Sequence, residues 1–149
     1  MRLVVQRVSE AQVTVEGRRT GAIGRGLLVL VGFGPTDGAA QLAYWVRRLP
    51  ELRIFEDEQG KQNLSVLEVE GKILAVPNFT LLADTRQGRR PSFTGAAPAE
   101  QAAALFADFV AALRERGVPV ETGEFGAHMH VALVNDGPIT LVLEVEALH

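Results

Sequence analysis

Hydrophobic and polar residues alternate with a period of two along much of the first half of the chain, the pattern of half-buried β-strands. Val13 and Val15, for example, alternate with Thr14 and Glu16. The third predicted strand is apolar throughout, which favours a central strand covered on both faces. In chain order, the predicted strands are RLVVQRV, AQVTVEG, GLLVLVGF, ELRIF and KILAVPNFTLL.

Two other segments repeat their apolar residues with helical spacing. The first has Asp37 as a candidate N-cap and ends at Pro50, and the second opens with Pro98 and ends before Gly117. The apolar stripe of the first helix is formed by Leu42, Trp45, Val46 and Leu49. The stripe of the second is formed by Ala102, Phe106, Phe109 and Leu113.

Two further alternating runs, HMHVALV and ITLVLEV, flank the sequence Asn-Asp-Gly-Pro at residues 135–138. Because three of these four residues are turn formers, the simplest interpretation is a β-hairpin with this loop. Pro138 fits that interpretation less well, since the commonest two-residue hairpin turns do not require proline after glycine. The sequence pattern alone does not explain why proline occupies position 138.

The chain contains no linker, repeat or low-complexity tract, so we predict one mixed α/β domain over residues 1–149. The sheet faces outnumber what two helices can cover. We therefore expect burial of sheet against sheet as well as of helix against sheet.

Composition narrows the function classes. With no cysteine, the chain has no disulfide, thiolate metal site or cysteine nucleophile, and a cytoplasmic location is the simplest expectation. No apolar run approaches ~18 residues, so we expect a soluble protein without a membrane partner. The net charge of -3 argues against sequence-independent binding along nucleic acid, although a local basic patch stays possible.

Three familiar kinds of site fit poorly. A dinucleotide loop at GFGPTDG would place Asp37 against a pyrophosphate and lose a donor amide at Pro35. His128 and His130 share a strand face, but two ligands are too few for a metal site and His149 is the C-terminus. Serine catalysis lacks a Gly-x-Ser-x-Gly elbow. We therefore predict no metal and no cofactor.

The segment VPNFTLLADTRQGRRPSF, residues 76–93, is the remaining candidate. It carries Asn78 and Thr80 at a predicted strand end, followed by a loop with Arg86, Arg89 and Arg90. The loop is either a solvated surface segment or a phosphate-contacting arm beside a polar strand end. The pattern does not decide between them.

Motifs at both ends of this segment and beyond resemble the D-aminoacyl-tRNA deacylases. The resemblance rests on PNFTLLADTRQGRRPSF, NDGPIT and the opening VVQRV, with colinear agreement at VTVEG, GLLVLVG, RIFEDEQGKQNLSV and TGEFGAHMHVALVNDGP. It spans nearly the whole chain. One departure is Pro77-Asn78, where most relatives have Ser-Gln.

The resemblance implies a three-layer α/β/β domain, with mixed sheets and two main helices, in a homodimer whose active sites lie at the interface. Gly137-Pro138 would be a cis pair inserted into the partner's pocket, with its carbonyl oxygens receiving the substrate's α-ammonium group. An L side chain would then meet the backbone while a D side chain points outward. Arg7 would hold this loop, and Phe125 and Met129 would contact substrate.

The reaction implied is hydrolysis of the ester between a D-amino acid and the 3′-terminal adenosine of tRNA, a chiral proofreading step that also covers glycyl-tRNA mischarged on tRNA-Ala. Backbone amides near Phe79 and Thr80, with Asn78, would stabilise the oxyanion beside the substrate's 2′-hydroxyl, and we prefer this to Thr80 as nucleophile. The tRNA contacts would be Arg86, Arg89 and Arg90. Two alternatives are a non-catalytic tRNA-3′-end-binding dimer and a deacylase of a branch with looser chirality, which also has proline at position 77.

Overall fold

A computed structural model describes residues 1–145 of the chain. The eight strands described are β1 Arg2–Val15, β2 Arg18–Ile23, β3 Gly26–Gly32, β4 Phe55–Glu56, β5 Gln62–Leu64, β6 Lys72–Pro77, β7 Val120–Thr122 and β8 His130–Glu144. The helices are α1 Ala39–Arg48 and α2 Ala99–Glu115, with short 3-10 helices at Leu49–Glu51 and Phe79–Leu82.

The long strand β1 organises the main sheet. Its first half pairs antiparallel with β3, its second half pairs with β2, and β8 runs antiparallel along nearly its whole length. The order β2-β1-β3-β6-β7 is completed by parallel pairing of β6 with β3 and β7. The sheet curls until β7 approaches β2, where a Cβ placed on Gly21 would lie 2.6 Å from the Thr122 carbonyl oxygen. The result is a nearly closed barrel.

Two hydrophobic clusters lie on the two sides of this curled sheet. Leu27 and Val29 of β3 face the first cluster, into which α1 and α2 insert Trp45 and Phe109. The second cluster lies between sheet and sheet, and it includes Leu28 of β3. The three-layer α/β/β arrangement is therefore confirmed, as is the prediction of an apolar central strand covered on both faces.

The hairpin predicted for residues 128–145 is wrong. Both runs belong to the single strand β8, because each pairs with β1 and neither pairs with the other: Leu133 lies opposite Ala11, and Leu141 lies opposite Val5. Residues 135–138 fall where the register shifts, so they interrupt a continuous strand as a bulge. The peptide bond between Gly137 and Pro138 is cis, as the resemblance implied.

Two smaller expectations also need correction. Gly38 rather than Asp37 is the N-cap of α1; the Asp37 carboxylate instead accepts the Gly34 N–H at 2.6 Å and pairs with the Met1 ammonium group. The predicted strand ELRIF keeps only Phe55 in a strand, since Leu49–Glu51 forms a 3-10 helix. Within residues 1–145, neither helix is long and apolar enough to cross a membrane.

Candidate functional site

The candidate site is built around the end of β6. The strand predicted to continue through Leu82 stops at Pro77, because Asn78 caps a 3-10 helix over Phe79–Leu82. The Asn78 N–H still donates to the Val31 carbonyl oxygen of β3, at 2.8 Å. Asn78 and Phe79 are thereby fixed at the edge of a rigid sheet.

Only the carbonyl oxygen of the Asn78 side chain has hydrogen-bond partners among the described residues. Its carbonyl oxygen accepts the Thr80 N–H at 3.0 Å, and it also accepts the Thr80 hydroxyl. The amide NH₂ of Asn78 has no acceptor among the described residues. Asn78 is therefore available as a hydrogen-bond donor, whereas Thr80 uses both its N–H and its hydroxyl proton in hydrogen bonds to Asn78.

The Phe79 N–H is a second free donor. It belongs to the first residue of the 3-10 helix, where backbone N–H groups have no partner within the helix. Over residues 1–145 nothing else accepts it. A free N–H beside a free amide NH₂ is the kind of donor pair that binds a carbonyl oxygen as negative charge develops on it.

An apolar cavity of about 360 Å³ opens beside these donors. Its aromatic wall includes Phe79 and Phe93, which pack edge to face with ring centroids 5.1 Å apart, and Phe125. Phe79 is 57% exposed, and with the exposed rings of Phe93 and Phe125 it forms an apolar patch of the kind that marks a ligand-binding groove. Alanines at the start of α2, among them Ala99 and Ala102, leave the space open.

A second cavity of about 300 Å³ lies against Pro77, Asn78 and Phe79 and includes Met129 in its wall. Gly126 borders both cavities. The structure thus brings together five of the predicted site residues. These are Asn78, Phe79, Thr80, Phe125 and Met129.

The predicted residues of the β8 bulge lie elsewhere. Arg7 is only 4% exposed; its Nε donates to the Asp136 carbonyl oxygen at 3.2 Å and its Nη1 to the Ile54 carbonyl oxygen at 2.7 Å. A Cβ placed on Gly137 would lie 3.0 Å from Arg7 Nη2. Arg7 therefore holds the bulge, yet Gly137 and Pro138 are exposed and line neither cavity of their own chain.

Residues 84–93, called here the arginine loop, follow the 3-10 helix of residues 79–82 and end at Phe93. Asp84 and Ser92 exchange two backbone hydrogen bonds of 2.8 Å at its neck. The Arg86 guanidinium donates to both carboxylate oxygens of Asp84, at 2.9 and 2.7 Å, and these bonds lower the pKa of Asp84 to about 2. Arg89 and Arg90 are exposed, and neither has an ion-pair partner in the part of the chain that is described.

Sequence reasoning missed part of the pocket. Phe33, Phe93 and the alanines of α2 were not singled out, although RRPSF supplied a signal for Phe93 in the motif itself. His128 and His130 stack with ring centroids 5.2 Å apart, and no group of three metal-binding side chains occurs among residues 1–145. His149 lies outside the described residues.

These observations define an α/β/β domain with an aromatic-walled pocket at a sheet edge and two free amide donors at its mouth. Residues 4–144 match the family model described as D-Tyr-tRNA(Tyr) deacylase, and the chain belongs to that family. The resemblance seen in the sequence motifs is confirmed.

Individual relatives match nearly the whole chain. A D-aminoacyl-tRNA deacylase of Thermotoga petrophila is 55% identical over 148 residues, which is 99% of each chain. One of Chlorobaculum parvum is 57% identical over 145 residues, 97% of each. A solved structure titled c-Myc DNA Unwinding Element Binding Protein superposes with a TM-score of 0.93 at 43% identity, covering 99% of this chain and all of the other.

A structure titled as a probable eukaryotic D-amino acid tRNA deacylase has a TM-score of 0.84 at 23% identity, covering 97% of this chain and 98% of the other. At that identity the match bears on the fold alone.

Proposed function

We propose that the protein hydrolyses the ester bond of D-aminoacyl-tRNA in the cytoplasm, releasing the free D-amino acid and tRNA. The observation that carries the proposal is the pair of free donors, the Phe79 N–H and the Asn78 amide NH₂, at the mouth of an apolar pocket. Family membership and curated relatives at 55% identity and above support the same substrate class.

The terminal adenosine of the tRNA occupies the larger cavity in this proposal. An adenine ring has two apolar faces and fits an aromatic wall such as that of Phe79 and Phe93. With the base held there, the ribose and its ester lie at the rim, beside Asn78 and Phe79 of the cavity wall.

Hydrolysis then needs only an aligned water and stabilisation of charge. The water oxygen attacks the ester carbonyl carbon, and the oxyanion that forms accepts hydrogen bonds from Phe79 N–H and Asn78 NH₂. The bond to the ribose 3′-oxygen breaks, and that oxygen takes the proton lost by the water, relayed by the adjacent 2′-hydroxyl. Thr80 is not the nucleophile, since its hydroxyl donates to Asn78 and no base adjoins it.

The second half of the site comes from another copy of the chain. Gly137 and Pro138 are exposed and line neither cavity of their own chain, so we assign their contact with substrate to the pocket of another subunit. Within residues 1–145, β8 pairs only with β1, and its outward residues Val134 and Val142 are 49% and 70% exposed. Exposed valines along an unpaired edge suit a two-fold homodimer interface.

In such a dimer, the carbonyl oxygens of Gly137 and Pro138 accept the substrate's α-ammonium group in the partner's pocket. Fixing the amine fixes the other Cα substituents. An L side chain is excluded by overlap with the backbone, whereas a D side chain or the hydrogen of glycine is accepted. Glycyl-tRNA mischarged on tRNA-Ala is therefore a second substrate.

The Pro77-Asn78 pair, which departs from the usual family residues, motivates a second candidate: a dimer that binds the tRNA 3′ end without hydrolysis. Turnover separates the two. With enzyme at one-hundredth of the D-tyrosyl-tRNA concentration, a deacylase releases all of the D-tyrosine over successive cycles. A binding module releases none beyond the spontaneous rate, and that result would end the proposal.

A further inference from the structure

We propose that the arginine loop is a braced arm in which Arg86 sets the geometry and Arg89 and Arg90 bind backbone phosphates of the single-stranded 3′ end of the RNA. This inference rests on the proposed function for its ligand. Its three arginines thus divide into one positioning residue and two phosphate contacts. The pattern of the sequence gave all three the same role.

First, the arginine loop is closed at its neck by backbone pairing. The paired backbone hydrogen bonds between Asp84 and Ser92 close a narrow loop whose tip carries Gly88, Arg89 and Arg90. Gly88 has a φ of +74°, a left-handed conformation that glycine adopts at little cost. The tip is therefore a tight turn on a closed stem rather than a free segment.

The second step is the brace. Besides its two guanidinium bonds, Arg86 donates its backbone N–H to the same Asp84 carboxylate at 3.0 Å. Exposed ion pairs contribute little in general, but the paired, planar contact of a guanidinium with a carboxylate is the most directional kind. Asp84 thus neutralises Arg86 and bends its side chain back onto the stem, so that the net positive charge of the loop lies at its tip.

The third step is the position of the loop beside the pocket. The stem continues directly into Phe93, whose ring packs against Phe79 in the cavity wall. Arg89 and Arg90 lie only a few residues before Phe93, and neither has an acidic partner in residues 1–145. With the terminal adenosine in the cavity, the nearest anionic groups are the phosphates of the nucleotides immediately before it, which are single-stranded.

The test uses binding of an uncharged short RNA that ends in CCA, followed by fluorescence anisotropy, so that it does not depend on catalysis. The double variant R89Q/R90Q should lose about tenfold or more in affinity at low salt. Its slope of log K against log salt should fall by about 1.4, because each phosphate contact on a single strand contributes about 0.7. R47Q, which removes an exposed charge at the far end of α1, serves as the control and should bind like the unmutated protein.

The brace is tested by a double-mutant cycle. R86Q, D84N and R86Q/D84N should weaken binding to the same modest degree, since either change releases the same contact. R86K should behave like R86Q, because lysine keeps the charge and loses the planar contact. If Arg86 were itself a phosphate contact, R86K would retain most of the affinity, D84N would bind more tightly and R86Q alone would flatten the salt slope; any of these results overturns the inference.

Hydrolysis of a D-tyrosyl ester of adenosine, which has no phosphate, distinguishes this inference from the proposed function. Its hydrolysis by the unmutated protein reports on the pocket without any phosphate contact. If the unmutated protein does not hydrolyse it or D-tyrosyl-tRNA, the proposed function fails while the binding result still decides the loop. If R89Q/R90Q binds the short RNA normally, the inference fails whatever the hydrolysis shows.

Discussion

The segment around Asn78 follows strand β6 and the bulge around Gly137 interrupts strand β8, but only the first is complete within its own chain. Asn78 caps a 3-10 helix, holds Thr80 and borders two cavities. Gly137 and Pro138 are held from beneath by Arg7, yet they face outward with nothing in the described chain to receive them. In the proposed dimer, the pocket and the wall that excludes an L side chain therefore belong to different subunits.

The two regions also differ in the contacts that hold them in place. The pocket segment is fixed by backbone pairing with β3, so it is preorganised in a single chain. The bulge is fixed by one buried arginine and by Asn135, whose amide donates to the Arg7 and Ile139 carbonyl oxygens at 3.0 Å each. The pocket segment is therefore held by backbone contacts, whereas the bulge is held mainly by the side chains of Arg7 and Asn135.

The largest effect is expected at the bulge. Gly137 has a φ of +125°, and an added side chain would meet Arg7 Nη2, so Gly137→Val should displace the carbonyl oxygens and lower kcat/KM by about a hundredfold or more. Asn78→Ala should also be nearly inactive. The measurement is deacylation by the two variants separately and after mixed-dimer formation.

Mixing distinguishes a site shared between subunits from a site within one. Half of randomly formed dimers are mixed, and each mixed dimer has one intact site, so about a quarter of the unmutated activity should return. No recovery in dimers shown by mass spectrometry to have exchanged would mean that pocket and bulge act in the same chain. Gly17→Val, at a turn with a φ of +78° and nothing within 4 Å of an added Cβ, controls for the backbone strain of replacing a glycine with positive φ.

An effect of comparable size is expected at Asn78. Removing one oxyanion donor typically lowers kcat by about 10²–10³, so Asn78→Ala should do so with little change in KM. Asn78→Gln restores the usual family residue and should stay within about tenfold of the unmutated kcat. A rise in KM at constant kcat for Asn78→Ala would show that Asn78 binds substrate without stabilising the transition state.

A smaller effect is expected at Thr80. Because the Thr80 hydroxyl serves only the cap, Thr80→Ala should keep kcat within about tenfold, and Thr80→Ser should be close to the unmutated protein. Complete inactivity of Thr80→Ala, with a native circular dichroism spectrum and normal RNA binding, would restore the nucleophilic mechanism.

The smallest effect is expected in the pH dependence. The bonds from Arg86 depress the pKa of Asp84 to about 2, so the brace is fully present above the ordinary carboxyl pKa and is lost only as the pH falls toward 2. RNA binding between about pH 5 and 8 should therefore show no titration from Asp84. In R86Q, carboxyl NMR should show the pKa of Asp84 return toward its ordinary value, and an unchanged low pKa would contradict the brace.

Much of the fold was predictable because burial is periodic and local. The alternation in β1 and the apolar run of β3 determine faces without reference to distant residues, and Phe106 and Phe109 in α2 are buried as their spacing predicts. The site residues Asn78 and Phe79 were reached through motif resemblance. Local pattern alone gave only a polar strand end.

The errors fall where pairing is non-local. A hairpin and an interrupted strand have the same turn residues, and only the partner β1 distinguishes them. Asp37 looks like a cap until the Met1 ammonium group is brought to it through folding. Phe93 joins the pocket wall through its contact with the ring of Phe79. The segment up to Leu82 has the pattern of a strand, but the Asn78 side chain caps a 3-10 helix there.

The central claim is that one subunit hydrolyses the ester while the other reads the chirality of the amino acid. The most direct measurement is the ratio of kcat/KM for D-tyrosyl-tRNA and L-tyrosyl-tRNA made on the same tRNA and treated with the same enzyme. We expect rapid hydrolysis of the D ester, sparing of the L ester, and intermediate attack on glycyl-tRNA, since glycine has no side chain to exclude. A ratio near one would contradict it and place the protein in the branch with looser chirality.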